Sequence, residues 1–155
     1  MRNIGIILAA AALTPLSVAA PALAQEVTDP DMEVDSIALA PGEGVVFGFG
    51  EGFSHQLLLV RHRGGEALAT PLASGEVRAV LYTDAGETWL EMENGTGETL
   101  YFDALADRNG NGGYGSVPSS AVPAGERIIA GRWDFLIANL VIGEFSYGPH
   151  GDHAH

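Results

Sequence analysis

The chain has 155 residues, with seven Arg, no Lys and twenty Asp plus Glu, for a formal net charge of −13. A surface so acidic repels nucleic acid and anionic lipid, which excludes DNA, RNA and membrane-surface binding. Cysteine is absent, so disulfide staples, thiolate nucleophiles, Cys-ligated zinc and lipidation at a cysteine are excluded too.

Met1-Arg2-Asn3 is a short basic region, and Ile4 to Val18 is an apolar run. Ala22-Leu23-Ala24 is the small-x-small pattern that a signal peptidase reads. Residues 1–24 are therefore expected to be a cleaved secretory signal that leaves Gln25 as the new N-terminus. The apolar run is shorter than the roughly 20 residues a membrane span needs. No membrane insertion is expected after cleavage. The expected address is a bacterial periplasm or the exterior. All twenty acidic residues follow Gln25. Residues 25–36 carry few large apolar groups and read as a mobile acidic leader.

Short β-type runs then recur between turn signals. Ile37-Ala38-Leu39 stops at Pro41-Gly42. Val45 to Phe49 runs into the glycine-rich Gly48-Phe49-Gly50-Glu51-Gly52. Gln56 to Arg61 is nearly all apolar and stops at Gly64-Gly65. Glu76 to Thr83 places Val77, Ala79 and Leu81 on one face and closes at Asp84-Ala85-Gly86. Thr88–Glu93 and Glu98–Ala104 are expected to form a hairpin with Gly95-Thr96-Gly97 as its loop. In that register Met92 opposes Leu100 and Leu90 opposes Phe102, because a one-residue slip would turn the apolar face outward. Asp107 to Gly115 is turn-rich, and Ser116 to Pro123 is linker-like. Arg127 to Trp133 and Phe135 to Tyr147 complete the set. The last run is apolar on both faces, which predicts a central strand bent at Asn139 or Gly143. Only Ala38-Leu39-Ala40 and Ala67-Leu68-Ala69 suit a helical turn.

Many short strands, with turn signals about every 8–12 residues and no amphipathic helix, predict an all-β domain over residues 37–148. The expected class is an antiparallel β-sandwich of Ig-like or Greek-key type, with a small β-barrel as the alternative.

The clearest chemical signal is the tail of residues 149–155, Pro149-His150-Gly151-Asp152-His153-Ala154-His155. His150, His153 and His155, with Asp152 and the terminal carboxylate, offer ligands suited to Zn, Cu(II) or Ni. A His-rich terminus also binds such ions weakly without any biological role, and no other cofactor is expected. Asp107-Arg108-Asn109-Gly110-Asn111-Gly112 matches the first half of a calcium loop. Its twelfth position, where a bidentate Glu is required, is Pro118. The segment therefore reads as a connection built from residues that tolerate left-handed backbone. Gly52-Phe53-Ser54-His55-Gln56 approaches a nucleophile elbow but lacks its last glycine and precedes a strand. Glu91 and Glu93 fall on the solvated face of the expected hairpin, near Tyr101 and Thr99. His62 sits at a strand end as a surface residue. Asn94-Gly95-Thr96 fits an N-glycosylation pattern, although a turn explains it. Trp89 and Tyr101 share the hairpin's outward face and form a candidate partner-binding strip for a protein or glycan. Phe47, Phe49 and Phe53 are expected in the core.

No catalytic motif emerges. The expected function is an exported, non-catalytic β-sandwich with a binding or structural role in the cell envelope. Two alternatives stand beside it. One is a periplasmic protein that binds divalent metal through the tail. The other is an enzyme whose site is assembled from scattered residues.

Overall fold

The computed structural model describes residues 32–50 and 57–148. In chain order these form β1 (Met32–Val34), β2 (Ser36–Leu39), β3 (Gly44–Phe49), β4 (Leu58–Arg63) and the short α1 (Gly65–Ala69). Then come β5 (Val77–Asp84), β6 (Glu87–Asn94), β7 (Tyr101–Asp107), β8 (Gly115–Val117), β9 (Arg127–Trp133) and β10 (Asn139–Ser146). One sheet has six strands in the order β1-β4-β3-β5-β6-β9, and a second has four in the order β2-β10-β7-β8. Every pairing is antiparallel. The architecture is a β-sandwich: no ladder among the described residues closes the sheets into a barrel.

Strand alternation explains the stacking. In β6 every second residue from Thr88 is buried. Leu90 and Met92 from that strand share one buried cluster with Leu100, Phe102 and Ala104 of the other layer. Burying each large side chain contributes about 1.5–3 kcal/mol, which suffices to hold a domain without disulfides.

The expected hairpin of Thr88–Glu93 with Glu98–Ala104 does not form. β6 pairs with β5 and β9, whereas β7 pairs with β10 and β8. The chain crosses between sheets after Asn94. The apolar residues named for the hairpin do meet, but face to face across the core. Period-two alternation fixes which side of a strand is apolar, and leaves open whether two apolar sides meet edge to edge or by stacking.

Asn94 anchors the crossover. It is buried, and its Nδ2 donates to the carbonyls of Glu98 (2.9 Å) and Val122 (2.9 Å). Its Oδ1 accepts from the Thr96 backbone N–H (2.9 Å) and hydroxyl (2.7 Å). The glycosylation-like pattern is thus a turn whose amide faces inward. Gly95 beside it admits no side chain, since a Cβ there would lie 2.7 Å from the Glu76 carbonyl oxygen.

A tight hairpin does form, between β5 and β6. Asp84 faces Glu87, and Ala85 and Gly86 between them both have positive φ (49° and 88°). That is the two-residue geometry matched to strand twist.

The last strand begins at Asn139 and not at Phe135, and lies between β2 and β7. Its register against β7 shifts between Gly143 and Ser146, where Glu144 adopts φ 50°. The bend expected at Gly143 is this bulge. Of the two segments suited to a helical turn, residues 67–69 belong to α1 and Ala38-Leu39 to β2.

Part of the segment 25–36, expected to be a mobile leader, is strand. Met32–Val34 pairs with β4, and Ser36 already belongs to β2. Val34 packs against the core and Ile37 is fully buried, so apolar contact orders these residues despite their acidic neighbours. Residues 1–24, expected to be a signal, residues 25–31 of the expected leader and the tail 149–155 lie outside the described residues.

The sandwich has two unlike ends. At one, Phe145 packs against Phe47 (ring centroids 5.2 Å apart), Phe49 (5.8 Å) and Phe102 (5.8 Å), and Phe49 also meets Tyr147 (6.0 Å). Phe47 is thus a core residue, as expected, and Phe49 is half-buried and packs against the core. Phe53 lies outside the described residues. At the opposite end β9 finishes with Trp133 against the start of β6, and β7 finishes with Asp107 against the start of β10.

Candidate functional site

The residues singled out from sequence disperse. The metal candidates His150, Asp152, His153 and His155 lie outside the described residues, as do Ser54 and His55. Among the described residues no group of three His, Asp or Glu side chains is placed to hold a metal ion. Trp89 sits in β6 and Tyr101 in β7, in different sheets, so the shared strip expected from the hairpin is not formed. Trp89 instead lies beside Tyr82 in the register of β5, with the Arg132 guanidinium 5.5 Å from its ring. Glu91 and Glu93 are engaged by Arg127 (2.5 Å) and Arg78 (2.6 Å). The corrected pairing of β6 explains both contacts. His62 lies 3.2 Å from the exposed Glu66.

The calcium-like segment closes on itself. Asp107 is buried, and its Oδ1 accepts from the backbone N–H groups of Asn109 (3.1 Å), Gly110 (2.9 Å) and Asn111 (3.4 Å). Its Oδ2 accepts from Gly112 N–H (2.8 Å). The Gly112 bond contributes most to holding the Asp107 carboxyl below its ordinary value, the other three N–H groups add to it, and burial opposes them. Gly110 and Gly112 supply the positive φ (68° and 82°) that the ring needs. A carboxylate occupied in this way organises its own loop.

That loop carries Arg108, and Arg108 lines a cleft between the two sheets. The cleft is open to solvent and has a volume of about 480 Å³, within the range of small-molecule sites. Its walls come from both sheets. Glu87, Arg132 and Trp133 belong to the six-stranded sheet, and Ser116 and Val117 to the four-stranded sheet. Arg108, Pro118, Asp134 and Phe135 come from the adjoining turns.

The cleft is held from several directions. The buried Thr88 hydroxyl donates to the Phe135 carbonyl (2.9 Å) and accepts from Ile137 N–H (3.0 Å). Ala138 N–H donates to the Asp107 carbonyl (2.9 Å). The turn carrying Phe135 is thus fastened to both layers. The Trp133 indole N–H donates to the Pro118 carbonyl (3.2 Å), which joins the two walls. The Trp133 ring lies over Gly131, where a Cβ would stand 2.3 Å from it.

Its charges are unequally satisfied. Glu87 Oε2 accepts from Arg132 (2.8 Å) and from the Trp89 indole (3.1 Å). The Arg132 bond, then the Trp89 bond, hold the Glu87 carboxyl below its ordinary value against a small opposing effect of desolvation. Arg63, Arg78 and Arg127 likewise each hold a carboxylate. Arg108 holds none among the described residues. Its guanidinium lies over the Phe135 ring, 3.4 Å from the centroid. Stacking of this kind shields one face of the cation and leaves its in-plane N–H donors free.

A second groove, about 210 Å³ in volume, lies on the outer face of the four-stranded sheet, with Asp35, Asp103 and Glu144 around Gly143. It is smaller and acidic, and it has no cation in its lining.

The cleft is not legible in the sequence because its parts are far apart, at residues 87, 108, 116–118 and 132–135. The Trp133-Asp134-Phe135 step at a strand end, with aromatics flanking an acid, was the one local sign. No family model, curated protein or solved structure matches the chain.

Proposed function

We propose that the chain is an exported binding protein, a β-sandwich that takes a small ligand, or one unit of a larger partner, into the cleft between Arg108 and Arg132. The observation carrying this reading is the state of Arg108. In a chain with many more carboxylates than cations, a guanidinium seated on an aromatic ring in a braced cleft and without a carboxylate is a recognition group left open. Braced side chains bind well because little ordering remains to be done on association. Export is supported by the pattern of residues 1–24.

The test is nuclear magnetic resonance of the chain against a panel of simple sugars, sugar acids and short peptides. The reading expects saturable shifts at the Arg108 side chain and the Trp133 indole, with the Phe145 end unmoved. Shifts confined to the Tyr82–Trp89 face or to the acidic groove would refute it. Export is tested by the mass of the protein recovered after secretion in a bacterial host: a chain starting at Gln25 is expected, and one still carrying Met1 would count against it.

A further inference from the structure

We propose that the ligand of this cleft is a hydroxylated monocarboxylate, a compound of the sugar-acid class, with its carboxylate on Arg108 and its hydroxyls on Glu87 and Asp134. The inference rests on the binding reading above and adds the ligand's chemistry.

Three observations carry it. First, the stacked Arg108 presents a planar fork of N–H donors, which matches a carboxylate in two parallel bonds better than it matches a point charge. Second, the charged groups lining the cleft are Arg108, Arg132, Glu87 and Asp134, and they balance. One added negative charge is tolerated there. A phosphate ester or tricarboxylate would face two carboxylates with only one cation unengaged. Third, the lining is rich in open acceptors. Both Glu87 contacts use Oε2, so Oε1 carries no hydrogen bond among the described residues. Asp134 and the Ser116 hydroxyl are exposed beside it. Acceptors in this number call for a ligand with several O–H donors. Phe135 is covered by Arg108, so recognition does not depend on stacking a sugar ring on that aromatic face.

The experiment titrates four probes at matched ionic strength while following the Arg108 Nε–H and the Trp133 indole N–H. Gluconate carries both features, acetate only the carboxylate, glucose only the hydroxyls, and citrate excess charge. Gluconate is expected to bind about tenfold or more tighter than the other three, the ratio that one charge-assisted hydrogen bond supports. Arg108→Gln is expected to weaken gluconate by about tenfold and leave glucose unchanged. Arg108→Lys, which keeps the charge and loses the fork, should restore only part. Arg127→Gln, on the exposed edge of β9, should change nothing.

Glucose binding as tightly as gluconate would remove Arg108 as the anchor. Acetate doing so would remove the hydroxyl contacts, and citrate binding tightest would remove the monoanion assignment. In each case the cleft remains a binding site and only the ligand class falls. If none of these four moves the cleft while a peptide of the wider panel does, the inference again fails alone. Silence of the cleft toward the whole panel would overturn both.

Discussion

The two ends of the sandwich are built from similar materials to different purposes. Each has aromatic rings, a buried polar side chain and a chain crossover. At the Phe145 end the aromatic rings meet one another, and Asn94 spends its amide on backbone carbonyls. At the Trp133 end Phe135 meets a guanidinium, Trp133 bridges two walls, and the polar groups Thr88 and Asp107 fasten turns. Among the described residues one end packs ring against ring, whereas the other is braced by hydrogen bonds and leaves a cation facing an open cleft. Ring-on-ring packing at one end and bracing around an open cleft at the other is the pattern expected of a scaffold and a site on one frame.

The sharpest way to break the comparison is to empty the ring-packed end. Phe145→Ala removes a fully buried ring that touches three others, and should cost about 4 kcal/mol. Asn94→Ala removes the partner of several buried backbone groups and should cost about 3 kcal/mol. Against typical domain stabilities of about 5–15 kcal/mol, either is severe. Urea unfolding reads the loss. If a variant folds, its cleft should still bind as wild type does, because neither residue reaches that end.

This division was only half legible in the sequence. The β class, most strand positions, the central place of the last strand and the Gly143 bend all follow from apolar alternation and turn chemistry. What alternation does not encode is the choice of partner. Leu90, Met92, Leu100 and Phe102 were placed on apolar faces correctly and assigned to one hairpin, although they belong to opposite layers. The error carried Trp89 and Tyr101 with it. The cleft was hidden for the same reason, since Arg108 and Phe135 are brought together only by the crossing of β7, β9 and β10. By contrast Asp107 is legible locally as a turn former, because the bonds of its carboxylate reach no further than Gly112.

Intermediate effects should come from the bracing of the open end. Gly131→Ala places a Cβ 2.3 Å from the Trp133 ring. The ring must shift, at about 2 kcal/mol, and cleft binding should weaken with it. Thr88→Val keeps the shape but orphans the Phe135 carbonyl and the Ile137 N–H, at about 1–2 kcal/mol. Thermal unfolding measures both costs. A Gly131→Ala variant that lost stability and kept full binding would show that the Trp133 wall does not shape the site.

Acid should act on the open end as well. The folded-state pKa of Asp107 lies below its ordinary value, so its contribution to stability is fully present above that value and is lost as pH falls through the folded one. Glu87 follows the same sign. Stability followed from pH 6 downward should fall in the acid range, and Asp107→Asn should flatten that fall. An unchanged slope in the variant would mean that the ring of N–H groups around Asp107 is not what acid breaks.

The smallest effect on stability should accompany the largest on binding. Arg108→Gln removes one exposed cation–π contact and no ion pair, so unfolding free energy should move by less than about 1 kcal/mol. Asp107 and the Thr88 bonds, which hold the adjoining turns, are untouched by the change. Binding, on the other hand, should lose its charged anchor. Measured together, the two readouts separate a group that maintains the fold from one the fold presents. If Arg108→Gln unfolded as readily as Phe145→Ala, the cation would be part of the frame, and the contrast between the two ends would collapse.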